Sequence, residues 1–143
     1  MKTIATKKIN VYLLWNGINL PPKQFNTIGE LEAVSGARKT LAESIPDFVE
    51  TYNKSIEFYK RMQDPSNPVD EKFNKERDEF NKKSKEQEEK QRDIVVSVDL
   101  EDTQFNTLFQ IVESKGKDWF NDIDSFLEFR KDINQANSQA KSK

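Results

Sequence analysis

Large apolar side chains recur on alternating three- and four-residue steps through one stretch of this chain, at Leu31, Val34, Leu41, Ile45, Phe48, Tyr52, Tyr59 and Met62. Only Arg38 and Ser55 interrupt the register. A helix with that spacing carries one narrow apolar seam, the kind that a helical hairpin or coiled coil closes. The seam constrains architecture more tightly than any other feature, because residues 27–63 must then lie along helix. If unbroken, that helix is roughly 55 Å long at the usual rise per residue.

Its ends are marked. Asn26 or Thr27 can cap the start, with Glu30 reaching back. Asp64-Pro65-Ser66-Asn67-Pro68 stops it and turns the chain. Pro46 falls inside, where it removes a backbone donor and clashes with the preceding turn. The unbroken apolar phase across Pro46 predicts a kink. The alternative is a clean break, with Ser44-Ile45-Pro46-Asp47 capping a second helix.

Residues 69–92 form the return helix of the hairpin. Nine acidic and eight basic residues lie between Asp70 and Asp93, so the signs nearly cancel and a solvated face is expected, with pairs such as Glu71–Lys75 and Glu86–Lys90. Val69, Phe73 and Phe80 are its apolar residues. Beyond Phe80 the inward positions are Ser84 and Gln87, and the seam fades.

Two short β-branched runs flank the hairpin. Residues 8–15 alternate Ile9, Val11 and Leu13 against Asn10, Tyr12 and Leu14, which predicts a strand ended by the Asn16-Gly17 turn and the Pro21-Pro22 pair. Residues 93–99 predict a second strand, and the two are expected to pair. Two helices then fill residues 101–133. Phe105, Leu108, Phe109 and Val112 line the first, which Gly116 closes. Phe120, Ile123, Leu127, Arg130 and Ile133 line the second, broadened by Trp119, Phe126 and Phe129. Residues 134–143 read as a polar tail.

Composition narrows the chemistry. The chain has 143 residues, no His and no Cys. Those absences remove the commonest general base, the usual zinc ligands and the Cys- or Ser-His nucleophile arrangements. No glycine-rich phosphate loop is present, since Gly29 and Gly36 fit no phosphate-cradling spacing. Asp99, Glu101 and Asp102, and also Asp118, Asp122 and Asp124, cluster at helix starts, where the helix dipole alone favours them. The reading is therefore no enzyme, no metal, no cofactor and no small-molecule substrate.

Net charge is -2, which offers no global field for nucleic acid. Lys2, Lys7, Lys8 and Lys23 form a small basic arm, read first as a solubility feature. The apolar run near the N-terminus is too short for a signal core or a membrane span, and the missing cysteines suit a reducing compartment, so a cytoplasmic location is expected.

The layout resembles a group of small uncharacterised proteins encoded by tailed bacteriophages and prophages. The resemblance rests on the short N-terminal apolar strand, the helix with the start Ser35-Gly36-Ala37-Arg38-Lys39-Thr40-Leu41, the charged return helix, the strand Asp93-Ile94-Val95-Val96-Ser97-Val98-Asp99 and a final helical segment. Pro46 and Pro21-Pro22 depart from that pattern. The resemblance implies a phage gene product working in an infected bacterium or within a virion, and carries no functional residues.

The expected fold is α+β and mostly helical: one domain over residues 1–133, with a long coiled-coil-like hairpin on a base of two strands and two shorter C-terminal helices. The expected function is that of a small non-enzymatic accessory or adaptor protein, for which the phage resemblance implies a role in virion assembly or structure. It would bind a protein partner or a second copy through the hairpin. Tyr52, Phe58, Tyr59, Met62, Phe73 and Phe80 are the candidate contact residues, joined by Trp15 and Trp119, which either anchor an interface or, as such residues more often do, close the end of a core. The alternative is a regulator or inhibitor of a host nucleic-acid-handling or defence system.

Overall fold

Residues 1–18, 27–66 and 68–139 are described by a computed structural model of the chain. It is mostly helical, with a two-stranded antiparallel sheet. Strand β1 (Lys2–Lys7) runs directly into α1 (Lys8–Ile18), followed by α2 (Ile28–Ser44), α3 (Pro46–Gln63), α4 (Glu71–Gln91) and strand β2 (Val95–Leu100). Helix α5 (Asp102–Lys115), a 3-10 turn (Gly116–Trp119) and α6 (Ile123–Gln139) complete the order. None of these helices is long and apolar enough to cross a membrane.

The first strand is not where residue alternation puts it. Residues 8–15 are helical, and the strand occupies the basic segment before them. Two periods compete in this stretch. Val11, Leu14, Trp15 and Ile18 also follow the i, i+3, i+4, i+7 pattern, and as a helix all four enter the core at 4% exposure or less. As a strand, the same stretch would divide its apolar residues between two faces. Asn16 and Gly17 accordingly continue the helix instead of turning the chain.

Strand β1 pairs with β2 in the register Lys2↔Leu100 to Lys7↔Val95. Ile4, Thr6, Val98 and Leu100 face inward and are buried. At the strand-to-helix junction, Lys8 N–H donates to the Ile94 carbonyl at 2.9 Å and Ile9 N–H donates to the Arg92 carbonyl at 3.1 Å. Two donors that a helix start leaves unpaired are thereby satisfied. Asp93 and Ile94 consequently precede β2 instead of belonging to it.

Pro46 breaks the long helix. Ile45 ends α2 and precedes α3 with φ -135° and ψ 54°, outside the helical region. The residue before proline resists helical dihedrals, and proline at the first helical position needs no N–H partner. The seam keeps its phase through the break, since Ile45 and Phe48 are both buried. Its two halves nevertheless serve different neighbours. Helix α2 packs on α1, α5 and β2, so it belongs to the base. Only α3 and α4 form the hairpin. The expected coiled-coil-like arm is therefore shorter by one helix, and the first half of the seam is core.

Phe105, Leu108, Val112, Phe129 and Ile133 complete that core at 0% exposure. Helix α6 lies against β1 and continues through residues expected to be tail, with Ala136 buried and Lys2 Nζ 3.2 Å from Asn137 Oδ1. Its inward stripe is Phe126, Phe129, Ile133 and Ala136, which leaves Ile123 and Leu127 exposed. Gly116 follows the end of α5 with right-handed helical dihedrals (φ -57°, ψ -35°) and not the left-handed glycine cap, and its missing side chain leaves room for close neighbours, since a Cβ there would stand 3.0 Å from Phe126 and 3.1 Å from Val112.

Candidate functional site

The start of α3–α4 meets α1 in an aromatic cluster. Tyr12 of α1 contacts Phe48 of α3 edge-on, with ring centroids 5.7 Å apart. Trp15, one turn further along α1, meets Tyr52 of α3 at 5.1 Å and 89°. The Arg38 guanidinium covers the Trp15 ring at 4.5 Å. This explains the charged residue in the apolar seam, since its flat cation stacks on the indole. Burial holds the Arg38 pKa below its ordinary value, partly offset by Tyr52.

The hairpin has its own ring contacts. Phe58 of α3 packs on Phe73 at 5.8 Å and on Phe80 at 5.1 Å, both from α4. Arg61 covers Phe73 at 4.7 Å and pairs with Glu76 at 3.5 Å. Asp70 caps α4, accepting from Phe73 N–H at 2.9 Å. Within this 21-residue helix only Phe73 is buried. Among the described residues the ion pairs of α4 are Arg61–Glu76 and Arg77–Asp78, not the spaced pairs its charge pattern suggests.

Between these two clusters the seam opens. A cleft of about 290 Å³ lies between α1, α3 and α4, walled by Tyr12, Phe48, Tyr52 and Phe80. Ser55 and Ser84, which stand at seam positions of α3 and α4, are too small to close it, and Gln87 and Glu88 complete the α4 side. Lys85 also lines the cleft but is exposed, whereas Glu88 is half-buried. Burial raises the Tyr12 pKa, and Tyr52 and then Glu88 raise it further. Below the cleft, Lys8 Nζ donates to Gln91 Oε1 at 2.9 Å and to Asp47 Oδ2 at 3.4 Å, tying the three helices together. The cleft is thus lined by aromatic rings, hydroxyl and amide residues and the half-buried Glu88, a set suited to holding a ligand group.

The predicted contact residues divide by place. Tyr52 and Phe80 line the cleft, while Phe58 and Phe73 form the hairpin seam behind it. Tyr59 and Met62 lie one turn apart on α3, with 57% and 43% of their surfaces exposed, and Val69 ahead of α4 keeps 47%. Trp15 is a core residue at 4% exposure, not a surface anchor. Trp119 packs against Gly17 of α1, apart from the cleft lining.

Tyr12, Phe48, Ser55, Ser84 and Glu88 were not among the expected site residues. Tyr12 is brought to the cleft by the helical form of residues 8–18, where its ring meets Phe48 of α3. Ser55 and Ser84 carry a sequence signal of their own, because each is a small polar residue on the inward face of its helix.

The other charged groups have structural tasks. Lys2 lies 4.7 Å above the Phe105 ring, Lys7 reaches Glu128 at 3.1 Å, and Lys8 serves the tie described above. Lys23, like Pro21 and Pro22, falls outside the described residues. Asp122 accepts from Ser125 N–H at 2.8 Å at the start of α6, and these bonds lower its pKa. Asp102 pairs with the N-terminal ammonium at 3.0 Å.

Comparison with protein-family models, with curated proteins and with solved structures finds no match to this chain.

Proposed function

We propose that this protein is a non-enzymatic accessory protein that acts by binding another protein through its α3–α4 arm. The observation that carries this reading is the exposure of Tyr59 and Met62 together on one face of α3, beside a return helix that buries only Phe73. Adjacent exposed apolar side chains on a helix supply the surface that a partner helix or second copy covers. The internal bonds of Lys2, Lys7 and Lys8 favour this over a nucleic-acid regulator, because three lysines of the basic arm already have partners. The layout resemblance to small tailed-phage proteins supports assigning the role to virion assembly or structure, in the bacterial cytoplasm or the particle.

The test is solution mass by light scattering over a dilution series at low and high salt, alone and with candidate virion proteins. The native chain is compared with the Tyr59→Ser/Met62→Ser double variant. Association that ignores salt and disappears in the double variant, with helical content unchanged, supports the arm. Association unchanged in that variant removes the arm from the interface, and a monomer that joins no virion component rejects the assembly role.

A further inference from the structure

We propose that the cleft between α1, α3 and α4 receives one arginine side chain of the partner protein, its guanidinium seated among the rings with Glu88 as counter-charge. This rests on the protein-binding reading and names the chemistry that the partner presents.

Size is the first argument. At about 290 Å³ the cleft lies at the bottom of the range for ligand pockets, which suits one side chain better than a drug-sized molecule.

The second argument is the pattern of cations on the surrounding rings. On one side Arg38 covers Trp15, and on the other Arg61 covers Phe58 and Phe73. Among the described residues, no lysine or arginine lies over the rings of Tyr12, Phe48 or Phe80. The rings of Tyr12, Phe48 and Phe80 thus lie between two guanidinium-stacked clusters without such a cation of their own among the described residues. Ring faces attract cations, and a planar guanidinium stacks as well as pairs.

Charge gives the third argument. Glu88 is half-buried in the lining, makes no ion pair among the described residues, and is close enough to Tyr12 to disfavour loss of its phenolic proton. A negative field inside an aromatic cleft selects a cation. Lys85 lines the same cleft but is exposed, whereas Glu88 is half-buried.

The experiment titrates the full chain with three blocked tripeptides, acetyl-Gly-Arg-Gly-amide, its norleucine counterpart and its glutamate counterpart. Aromatic-ring NMR shifts of Tyr12, Tyr52 and Phe80 are followed. The arginine peptide is expected to shift these signals at millimolar concentration and to bind about five- to ten-fold more tightly than norleucine. Glu88→Gln should remove most of that preference. Ser84→Leu, which fills the cleft, should abolish binding while the circular dichroism stays native. Norleucine binding as well as arginine overturns the cation assignment, as does tighter binding of the glutamate peptide. No shift with any peptide overturns the cleft as a site. None of these outcomes touches the Tyr59/Met62 association test, so failure here is distinct from failure of the protein-binding reading.

Discussion

The Tyr52 ring stands edge-on to the Trp15 indole, with centroids 5.1 Å apart and planes at 89°. This contact joins the arm to the core, since Trp15 is buried at 4% exposure while Tyr52 reaches the cleft. Edge-on aromatic pairs contribute about 0.5–1.5 kcal/mol beyond the area they bury. Tyr52→Leu keeps most of the apolar volume and loses the ring pair. A stability loss of about 1 kcal/mol is expected in urea unfolding, together with a shift in Trp15 emission. An unaltered midpoint and spectrum would show that the pair contributes nothing.

Gly17 is the next-to-last residue of α1, with the Trp119 ring where a Cβ would sit. Gly17→Ala normally favours a helix, but here the methyl must displace an indole. The expected result is destabilisation by about 1–3 kcal/mol, reversed in part by Trp119→Leu. The pair is therefore non-additive, and a double-mutant cycle by denaturant unfolding measures it. Additive single effects would mean that the two residues do not meet.

The Tyr12 phenol is held above its ordinary pKa, first by burial and then by Tyr52 and Glu88. A group whose folded pKa exceeds its unfolded one favours the folded state fully below the unfolded value, about pH 10 for tyrosine. That contribution is lost as pH rises through the folded value. Tyr12→Phe should therefore show a shallower loss of stability above about pH 10 than the native chain. Urea midpoints measured on both sides of that pH decide it, and parallel declines would place Tyr12 in open solvent.

Helix α4 buries Phe73 alone, so it is expected to open locally before the base unfolds. In native-state hydrogen exchange its amides should exchange ahead of those of α2 and α5. Phe73→Ala should deepen that difference while leaving protection around Phe105 and Leu108 intact. Uniform protection across α2, α4 and α5 would show one cooperative unit instead.

Much of this architecture is legible in local pattern. The seam from Leu31 to Met62 identifies helix on both sides of Pro46, Thr27 and Asp70 cap α2 and α4, and the β-branched run before Leu100 is a strand. These follow from propensity, capping and periodicity, which act within a few residues. The gap in the seam is legible too, in Ser55 and Ser84 at inward positions of their helices, both of which line the cleft.

Local pattern leaves open the choices made by distant partners. Residues 8–15 match both a strand and a helix, and the helix prevails because it buries Val11, Leu14, Trp15 and Ile18 on one stripe, against α2 among other elements. Pro46 permits a kink or a break, and the direction of α3 after Ile45 follows from Phe48 and Tyr52 packing on Tyr12 and Trp15. Arg38 reads as a flaw in the seam until Trp15 lies beneath it. The sequence by itself determined α2 to α5 and β2 as helical or extended, because those preferences are local, but not β1 in the basic segment, α1, or the continuation of α6 past Ile133. Only the tertiary structure decided which face of each helix meets which neighbour, and hence that a cleft exists, because burial depends on residues far apart along the chain.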